Sequence, residues 1–493
     1  MSAAYNRKSR ECSRASAKDR TRRKKASELT GPLLTTGTVT EGTTNNSDSG
    51  KAEPISYGPV DSETVALSYY HGLISREDVQ ELLKKPGDFL FRLTEPYPGQ
   101  PRNVILSVNV GQPTDKDGEL MHYVISKTEN GLYILNDGYY STFPEIVRSL
   151  LRMKTTRIGK KDVQFLHVVK RKRWELRHRD VDTEKKIGEG AFGEVYLGKF
   201  TNQDGERVPV AIKLFKLEAL TKEQIKSINR EARIMRNLHH SNIIKLYGVA
   251  AEIEPIMLVI ELADKGALNT YLEKHPETPA EKRLQMCAQA AFGVEYLHSK
   301  HLIHCDLAAR NCLYGEGKVK ISDFGMTADA PEQKVPKGTK APIRWLAPDT
   351  VVHCVYTQKT DVYSFGVLAW EIIVGGEPYA GFLNPEVLVK IREGVHLEFP
   401  ESVPSKVTQL IKTGCWAMAP QARYTMKDVS SGFEDLTNIA RPEPIATPHH
   451  KSSSRTSRKA AKKASYIQRE TFPGRMSLIN ESAKKKRKGF SKD

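Results

Sequence analysis

The sequence predicts a multidomain chain: a small α+β domain over residues 69–168, then a larger domain over 181–438 that opens in strands, with basic tails outside them. Three observations carry this. Hydrophobic periodicity is confined to those two blocks. The net charge of +17 sits at the ends, with +7 in residues 1–30 and +11 in residues 451–493, leaving −1 for residues 31–450. A length of 493 residues suits two or three domains, at about 100–200 residues each.

Residues 1–66 are rich in Ser, Thr, Lys and Arg and include TRRKK at 21–25; residues 440–493 are similar and include KKKRK at 484–488. Neither stretch has enough apolar surface to offset the entropy of ordering, so both are expected to be disordered. The start, MSAAYNRKSR, lacks the apolar core of a secretory leader, and Ser2 stands where a myristoylation signal has glycine. No run reaches the roughly 18 apolar residues of a membrane span. The six cysteines (Cys12, Cys287, Cys305, Cys312, Cys354, Cys415) are scattered without metal-ligand spacing, as expected of reduced thiols in a cytoplasmic or nuclear protein.

The first block opens with YYHGLISREDVQELL. Ser75 and Asp78 form a capping-box-like start, and Val79, Leu82 and Leu83 follow at helical spacing. GDFLFRL, NVILSVNV, MHYVISKT and GLYIL read as strands parted by turn residues, and TFPEIVRSLLRM as a second helix. A short connector, 169–180, leads to the second block.

That block begins KKIGEGAFGEVYLGKF, with Gly188, Gly190 and Gly193 in a G-x-G-x-x-G pattern. The glycines are followed by strand-like EVYLGKF and VPVAIKLF rather than by a helix, which suits a hairpin closing over phosphates; alone, the triplet is equally a turn. Lys213 in VAIK follows the flap and is placed to contact α/β phosphates. The next helix, 221–235, starts with a Thr221/Gln224 capping box and carries Glu231, a candidate partner for Lys213. In HCDLAARN (304–311), Asp306 is a candidate acceptor for a substrate hydroxyl proton and Asn311 a candidate Mg²⁺ ligand; Asp323 of DFG is a second. Such residues position and neutralise phosphoryl groups.

In order and spacing these motifs resemble the eukaryotic protein kinase family over 181–438, continuing through APD (347–349), TDVYSFGVLAWEI and GCWAMAPQARYT. The resemblance implies a bilobal fold, with a β-rich N-lobe, an α-rich C-lobe, and ATP with Mg²⁺ (or Mn²⁺) between them. It implies that ATP meets the flap along Ile187, Gly188, Glu189, Gly190, Ala191, Phe192, Gly193, Glu194 and Val195. It further places adenine between Ala211 and Leu313, the gatekeeper at Ile260 and the hinge from Glu261. LAARN, with Arg310, and KAPIRWLAPD (340–349) resemble the tyrosine-kinase forms of these loops, so protein tyrosine is the expected acceptor. Two departures stand out: Cys305 replaces the HRD arginine, and Asp349 the APE glutamate. In the family that arginine pairs with a phosphorylated activation-loop residue, and 323–349 contains no tyrosine. The loop is therefore expected to reach its active shape without tyrosine phosphorylation, with Thr327 and Thr339 as the phosphorylation sites that would disprove this. Asp349 is expected to reach Arg423.

A dianionic phosphate is held best by the fork of a buried arginine. FLFRLTE (89–95) sets Arg92 in an apolar strand. The block resembles the Src homology 2 (SH2) domain from YYHGLISRED through FLFRLTE to MHYVIS. Carried over by position, Arg92 grips the phosphate with Arg76, Thr94 and His122 around it, while Val124 stands where many members have a basic residue. The order of phosphotyrosine reader, WEL linker (174–176) and tyrosine kinase is most similar to the Fes/Fer group of non-receptor kinases, and residues 1–66, short and polar, are not expected to form that group's N-terminal membrane-curving module.

The function expected is a non-receptor tyrosine kinase targeted to phosphotyrosine proteins by its reader. The alternative is a phosphotyrosine-docking scaffold with a weakly active or inactive kinase domain. The basic tails read as solvated chain, as a contact with an anionic membrane at the inner face of the plasma membrane, or, more weakly, as nuclear import signals. Nucleic acid ranks last as a partner, since no aromatic interleaving accompanies the charge.

Overall fold

The computed structural model describes residues 60–443 apart from 97–98, 112–118, 159–160, 191–192, 203, 216–219 and 336–340. The motifs TRRKK and KKKRK, the flap residues Ala191 and Phe192, and Thr339 lie outside the described residues. Residues 60–66, assigned to the tail by composition, belong to the folded block. Asp61 accepts from the Thr64 N–H at 2.7 Å and caps the turn Ser62–Ala66, while Val60 and Val65 are buried. Two apolar side chains meeting a ready-made core outweigh a polar local composition.

In the first block, helix α1 (Arg76–Leu82) and helix α2 (Phe143–Met153) flank a sheet of β1 (Asp88–Thr94), β2 (Asn103–Asn109), β3 (Leu120–Val124) and β4 (His167–Val168), in the order β3-β2-β1-β4. β1 and β2 run antiparallel from Phe89↔Val108 to Thr94↔Asn103. Strand alternation divides β1 between two cores. Phe89 and Phe91 pack with Phe143 and Phe165, while Leu90 packs with Ile74, Val79, Leu82 and Leu83 at α1. Arg92 shares the α1 side with Leu90, so the same alternation that buries the strand aims its one cation at the first turn of α1. The Ser75 cap forms, accepting from the Asp78 N–H at 3.2 Å. The short Asp78 carboxylate takes the Ser75 hydroxyl at 2.6 Å instead of closing the box on the backbone.

The second block starts with a six-stranded sheet ordered β5-β9-β10-β8-β7-β6, built from β5 (Glu175–Leu176), β6 (Val181–Gly190), β7 (Gly193–Thr201), β8 (Arg207–Phe215), β9 (Leu246–Ala250) and β10 (Ile256–Glu261). Its first strand comes from the connector: Glu175 and Leu176 pair in parallel with Val249 and Ala250. Helix α3 (Lys222–Met235) begins with the reciprocal Thr221/Gln224 cap and buries Ile228, Glu231, Ala232 and Met235. The helical part is built on α4 (Ala280–Ser299), α5 (Gln358–Ile373) and α6 (Met426–Thr437). Most of α5 is buried, so its hydrophobicity runs all round rather than as a stripe. Asp349 reaches Arg423, which is fully buried, at 2.6 Å.

The two blocks pack along α3. Arg233 donates to Asp78 through Nε and Nη2, both at 3.1 Å, and to the Ser75 hydroxyl at 2.9 Å. Arg236 pairs with Glu81 and stacks on Trp174 of the connector at 4.6 Å. Asn229 donates to the Leu73 carbonyl at 2.9 Å, and Lys226 pairs with Glu77 at 2.6 Å. At Gly72 (φ +64°) the backbones meet so closely that a Cβ would lie 2.1 Å from the Ala251 carbonyl oxygen. Gly72→Ala is therefore expected to part the two blocks while each keeps its own core. Small-angle scattering should then show a larger radius of gyration with an unchanged circular-dichroism spectrum; an unchanged radius would mean the contact tolerates the methyl group.

Candidate active site and phosphate pocket

β6 and β7 form the flap, with Gly188 opposite Val195, Glu189 opposite Glu194 and Gly190 opposite Gly193. Lys186 bridges Glu189 at 2.8 Å and Glu194 at 2.7 Å, tying the strands near the tip. A Cβ at Gly193 would stand 2.1 Å from the Leu214 carbonyl oxygen, so this close approach of β7 to β8 needs glycine. Ile187, on β6, is half exposed.

β8 lies between β7 and β10 and puts Lys213 opposite Val195 on one side and Leu258 on the other. Its ammonium sits 2.9 Å from Glu231 and 3.8 Å from Asp323. Burial alone would lower the Lys213 pKa, but these two carboxylates raise it above the usual lysine value, so the side chain stays charged. Glu231 thus comes from α3 to the lysine, as expected from its place in the helix. Ala211, between Leu197 and Ile260, and Leu313, bridged to Ala267, sit on the two lobes. Glu261 ends β10 with its carboxylate 2.5 Å from Lys320, a partner the sequence did not indicate.

The loop 304–311 is suspended from α5. The buried Asp361 accepts from the backbone N–H of His304 at 2.6 Å and of Cys305 at 3.0 Å, holding Cys305 at φ +68°. Glu371, also on α5, accepts from the Ala309 N–H and the Trp345 indole, each at 2.9 Å. Asn311 donates to the Asp306 carbonyl and carboxylate, both at 2.8 Å, and Arg310 reaches the other Asp306 oxygen at 2.5 Å while stacking on Trp345 at 4.2 Å. With its amide nitrogen so used, Asn311 keeps its oxygen for a cation. Asp323, at φ +59°, has a half-exposed carboxylate, and Phe324 beside it is buried against His304. The described residues contain no cluster of three or more His, Cys, Asp or Glu able to cage a metal. Oxygen donors such as those of Asn311 and Asp323 instead suit a hard divalent cation that keeps waters or takes phosphate oxygens for its remaining positions.

Cys305 belongs to an apolar cluster with Ile303, Ala328, Leu346 and Tyr356, and burial pushes its thiol pKa up, so it carries no charge. Strand 332–334 pairs with 355–357, and Arg230 donates to the Thr327 carbonyl at 2.6 Å. Thr327 is fully buried. The roles of Asp361 and Glu371 were missed from sequence because TDVYSFGVLAWEI reads as one buried helix; the signal was two acids inside an apolar run.

In the first block, Arg92 is buried, with Nε 3.3 Å from the Ser107 hydroxyl and Nη1 3.4 Å from the Ile74 carbonyl. His122 Nδ1 lies 3.0 Å from the same hydroxyl, so Ser107 bridges the two, another residue missed from sequence. Burial, then the Arg76 guanidinium, lowers the Arg92 pKa to about 10, leaving it charged at neutral pH. Burial followed by the charges of Arg92 and Arg76 pulls His122 down to about 4. Thr94 shares the Arg92 face by alternation, at the end of β1.

Burial lifts the Glu371 pKa to about 7. Its unfolded-state carboxyl titrates lower, so the stability that goes with its protonated form is complete below the unfolded value and is lost as the pH rises through 7. Between pH 5 and 8 the urea midpoint of Glu371→Gln should accordingly fall less than that of the parent. Equal falls would assign the loss to other groups.

Comparison with known proteins identifies the families of the two blocks. A protein tyrosine and serine/threonine kinase model matches residues 181–433, and an SH2 domain model matches 69–150. The chain is 35% identical to Fer-related kinase 1 of Caenorhabditis elegans over 374 residues, covering 75% of this chain and 94% of that protein. It is 38% identical over 363 residues to the Fps transforming protein of Fujinami sarcoma virus, and 34% identical over 379 residues to tyrosine-protein kinase Fer of Homo sapiens. Of those two it spans only 40% and 44% of the length. No helix among the described residues is long and apolar enough to cross a membrane. An SH2 domain followed by a tyrosine kinase domain, matched to Fer-related kinase 1 over nearly all of that protein, makes this chain a member of the Fer-related protein tyrosine kinases.

Proposed function

We propose that the chain transfers the γ-phosphoryl group of ATP to tyrosine hydroxyls of proteins recruited through its phosphotyrosine pocket. The observation that supports this most is the Lys213–Glu231 ion pair at 2.9 Å together with Asp306 and Asn311 joined at 2.8 Å, the arrangement a phosphoryl-transfer site needs. Lys213 orients the α/β phosphates, and Asn311 with Asp323 holds the divalent cation, Mg²⁺ or Mn²⁺, that neutralises the phosphates when bound. The flap from Ile187 to Val195 covers them, with adenine between Ala211 and Leu313. Asp306 accepts the tyrosine proton while Arg310, pinned between Asp306 and Trp345, steadies that carboxylate. Arg92, Arg76, Thr94 and His122 form the reader, and its occupancy presses the SH2 domain onto α3, supporting Glu231.

The activation segment reaches its working shape without phosphorylation in this reading. Apolar packing around Cys305 stands where the family pairs an arginine with a phosphate, and Thr327, with no accessible surface, is a poor acceptor. The protein acts in the cytoplasm, and an anionic membrane surface is the partner proposed for its basic tails.

With Mg-ATP and a Glu/Tyr copolymer, the parent should form phosphotyrosine and Asp306→Asn should lose about 10²–10⁴-fold in kcat. No signal from the parent above that variant, with ATP still bound, would favour a phosphotyrosine-docking scaffold. Thr327→Val should keep the parent's activity after phosphatase treatment of both; loss of activity on treatment would overturn phosphate-independent activation.

A further inference from the structure

We infer that Lys222, at the first turn of the kinase helix α3, is a phosphate-binding residue of the SH2 domain's pocket, so that both domains grip one phosphotyrosine. This rests on reading the Arg92 pocket as a phosphotyrosine reader.

The face of α3 turned to the SH2 domain is defined by contacts. Lys226 pairs with Glu77, Asn229 donates to the Leu73 carbonyl, Arg233 binds Asp78, and Arg236 pairs with Glu81. These positions advance by three or four residues, one stripe of a helix, and the next position toward the N-terminus is Lys222. SH2 atoms bracket it on both sides. Before it, Arg102 donates to the Leu220 carbonyl at 2.5 Å; after it, Lys226 is 2.6 Å from Glu77. Glu77 follows Arg76 in the first turn of α1, so the stripe leads to the rim of the pocket.

Charge agrees with position. Lys222 acts with Arg92 and Arg76, after burial, in holding the His122 pKa down, which sets its ammonium in the field of that ring. Among the described residues no carboxylate forms an ion pair with Lys222. Glu77, the acid next to Arg76, is taken by Lys226. His122 Nε2 is buried without a partner. Three cations thus act on one ring whose Nε2 is unsatisfied, a set of charges that a dianion would satisfy. On β3, Val124 lies two residues from His122, on the same face, and is 40% exposed. It is the position at which the SH2 resemblance leads one to expect a basic residue. Lys222 supplies from the kinase domain the charge that Val124 lacks. It is carried on the helix that bears Glu231, so occupancy of the pocket is felt at its first turn.

The test uses the full chain and a labelled tyrosine-phosphorylated peptide, with its unphosphorylated twin, in fluorescence anisotropy. Lys222→Ala should weaken binding of the phosphorylated peptide about 5–20-fold and Lys222→Glu further, with shallower dependence on salt. Lys406→Ala, an exposed lysine elsewhere, should bind as the parent does. In the free protein, Lys222→Ala should also raise the His122 pKa followed by NMR, which a purely structural lysine would not do. If the parent binds and Arg92→Ala does not, yet both Lys222 variants bind like the parent, the shared grip is wrong and the reader stands. A parent that does not prefer the phosphorylated peptide would remove the reader, and the shared grip with it.

Discussion

A buried ammonium held between carboxylates from two different elements is the constraint on which the arrangement depends. Lys213 must stay charged inside the cleft, and it does so because Glu231 and Asp323 both lie within 4 Å. Without them, burial would favour the neutral amine. Glu231 can meet Lys213 only if α3 is rotated and seated correctly, so the position of one helix sets the state of the site. That helix is buried on one face against the sheet and engaged on the other by the SH2 domain. Ile228, Ala232 and Met235 serve the first contact, and Asn229, Arg233 and Arg236 the second. The SH2 contact is polar and includes a nearly fully buried Asp78. Removing one partner from such a group leaves an uncompensated charge, so the contact is specific to one geometry.

The catalytic segment is fixed by a different device. Two acids of the buried helix α5 hold it through backbone N–H groups: Asp361 at His304 and Cys305, Glu371 at Ala309. Backbone anchors of this kind do not depend on the side chain at 305. This is why cysteine can occupy that position without loss of the loop's path, and why its thiol can join an apolar cluster with Tyr356 and Leu346 instead. The pairing of Arg423 with the shorter Asp349 follows similar logic. Arg423 is also tied to the Lys359, Ala417 and Met418 carbonyls, so the guanidinium is already in place when the carboxylate reaches it.

Much of this was legible in the chain. The Thr221/Gln224 cap, the G-x-G-x-x-G flap, Lys213, Asp306, Asn311 and Asp323 each announce a local geometry through residues close in sequence. Alternation in FLFRLTE placed Arg92 inward because a strand has only two faces. Composition misled at residues 60–66, where polar neighbours hid two valines that find a core supplied from elsewhere. The missed residues share a cause. Ser107 in NVILSVNV, and Asp361 and Glu371 in an apolar helix, gain their roles from partners far along the chain.

The sequence by itself determined the order of the domains, the elements within each and the chemical identity of the candidate site residues, since these depend on short-range periodicity and on motifs a few residues long. Only the tertiary structure decided that Glu231 meets Lys213, that α5 carries the loop around Asp306, and that α3 lies against the SH2 domain through Asp78 and Gly72. Those outcomes rest on ion pairs and close approaches between residues far apart in the chain, 18 positions for Lys213–Glu231 and 155 for Asp78–Arg233. Such pairings leave no periodic trace in the chain, because either partner alone is compatible with an ordinary solvated surface.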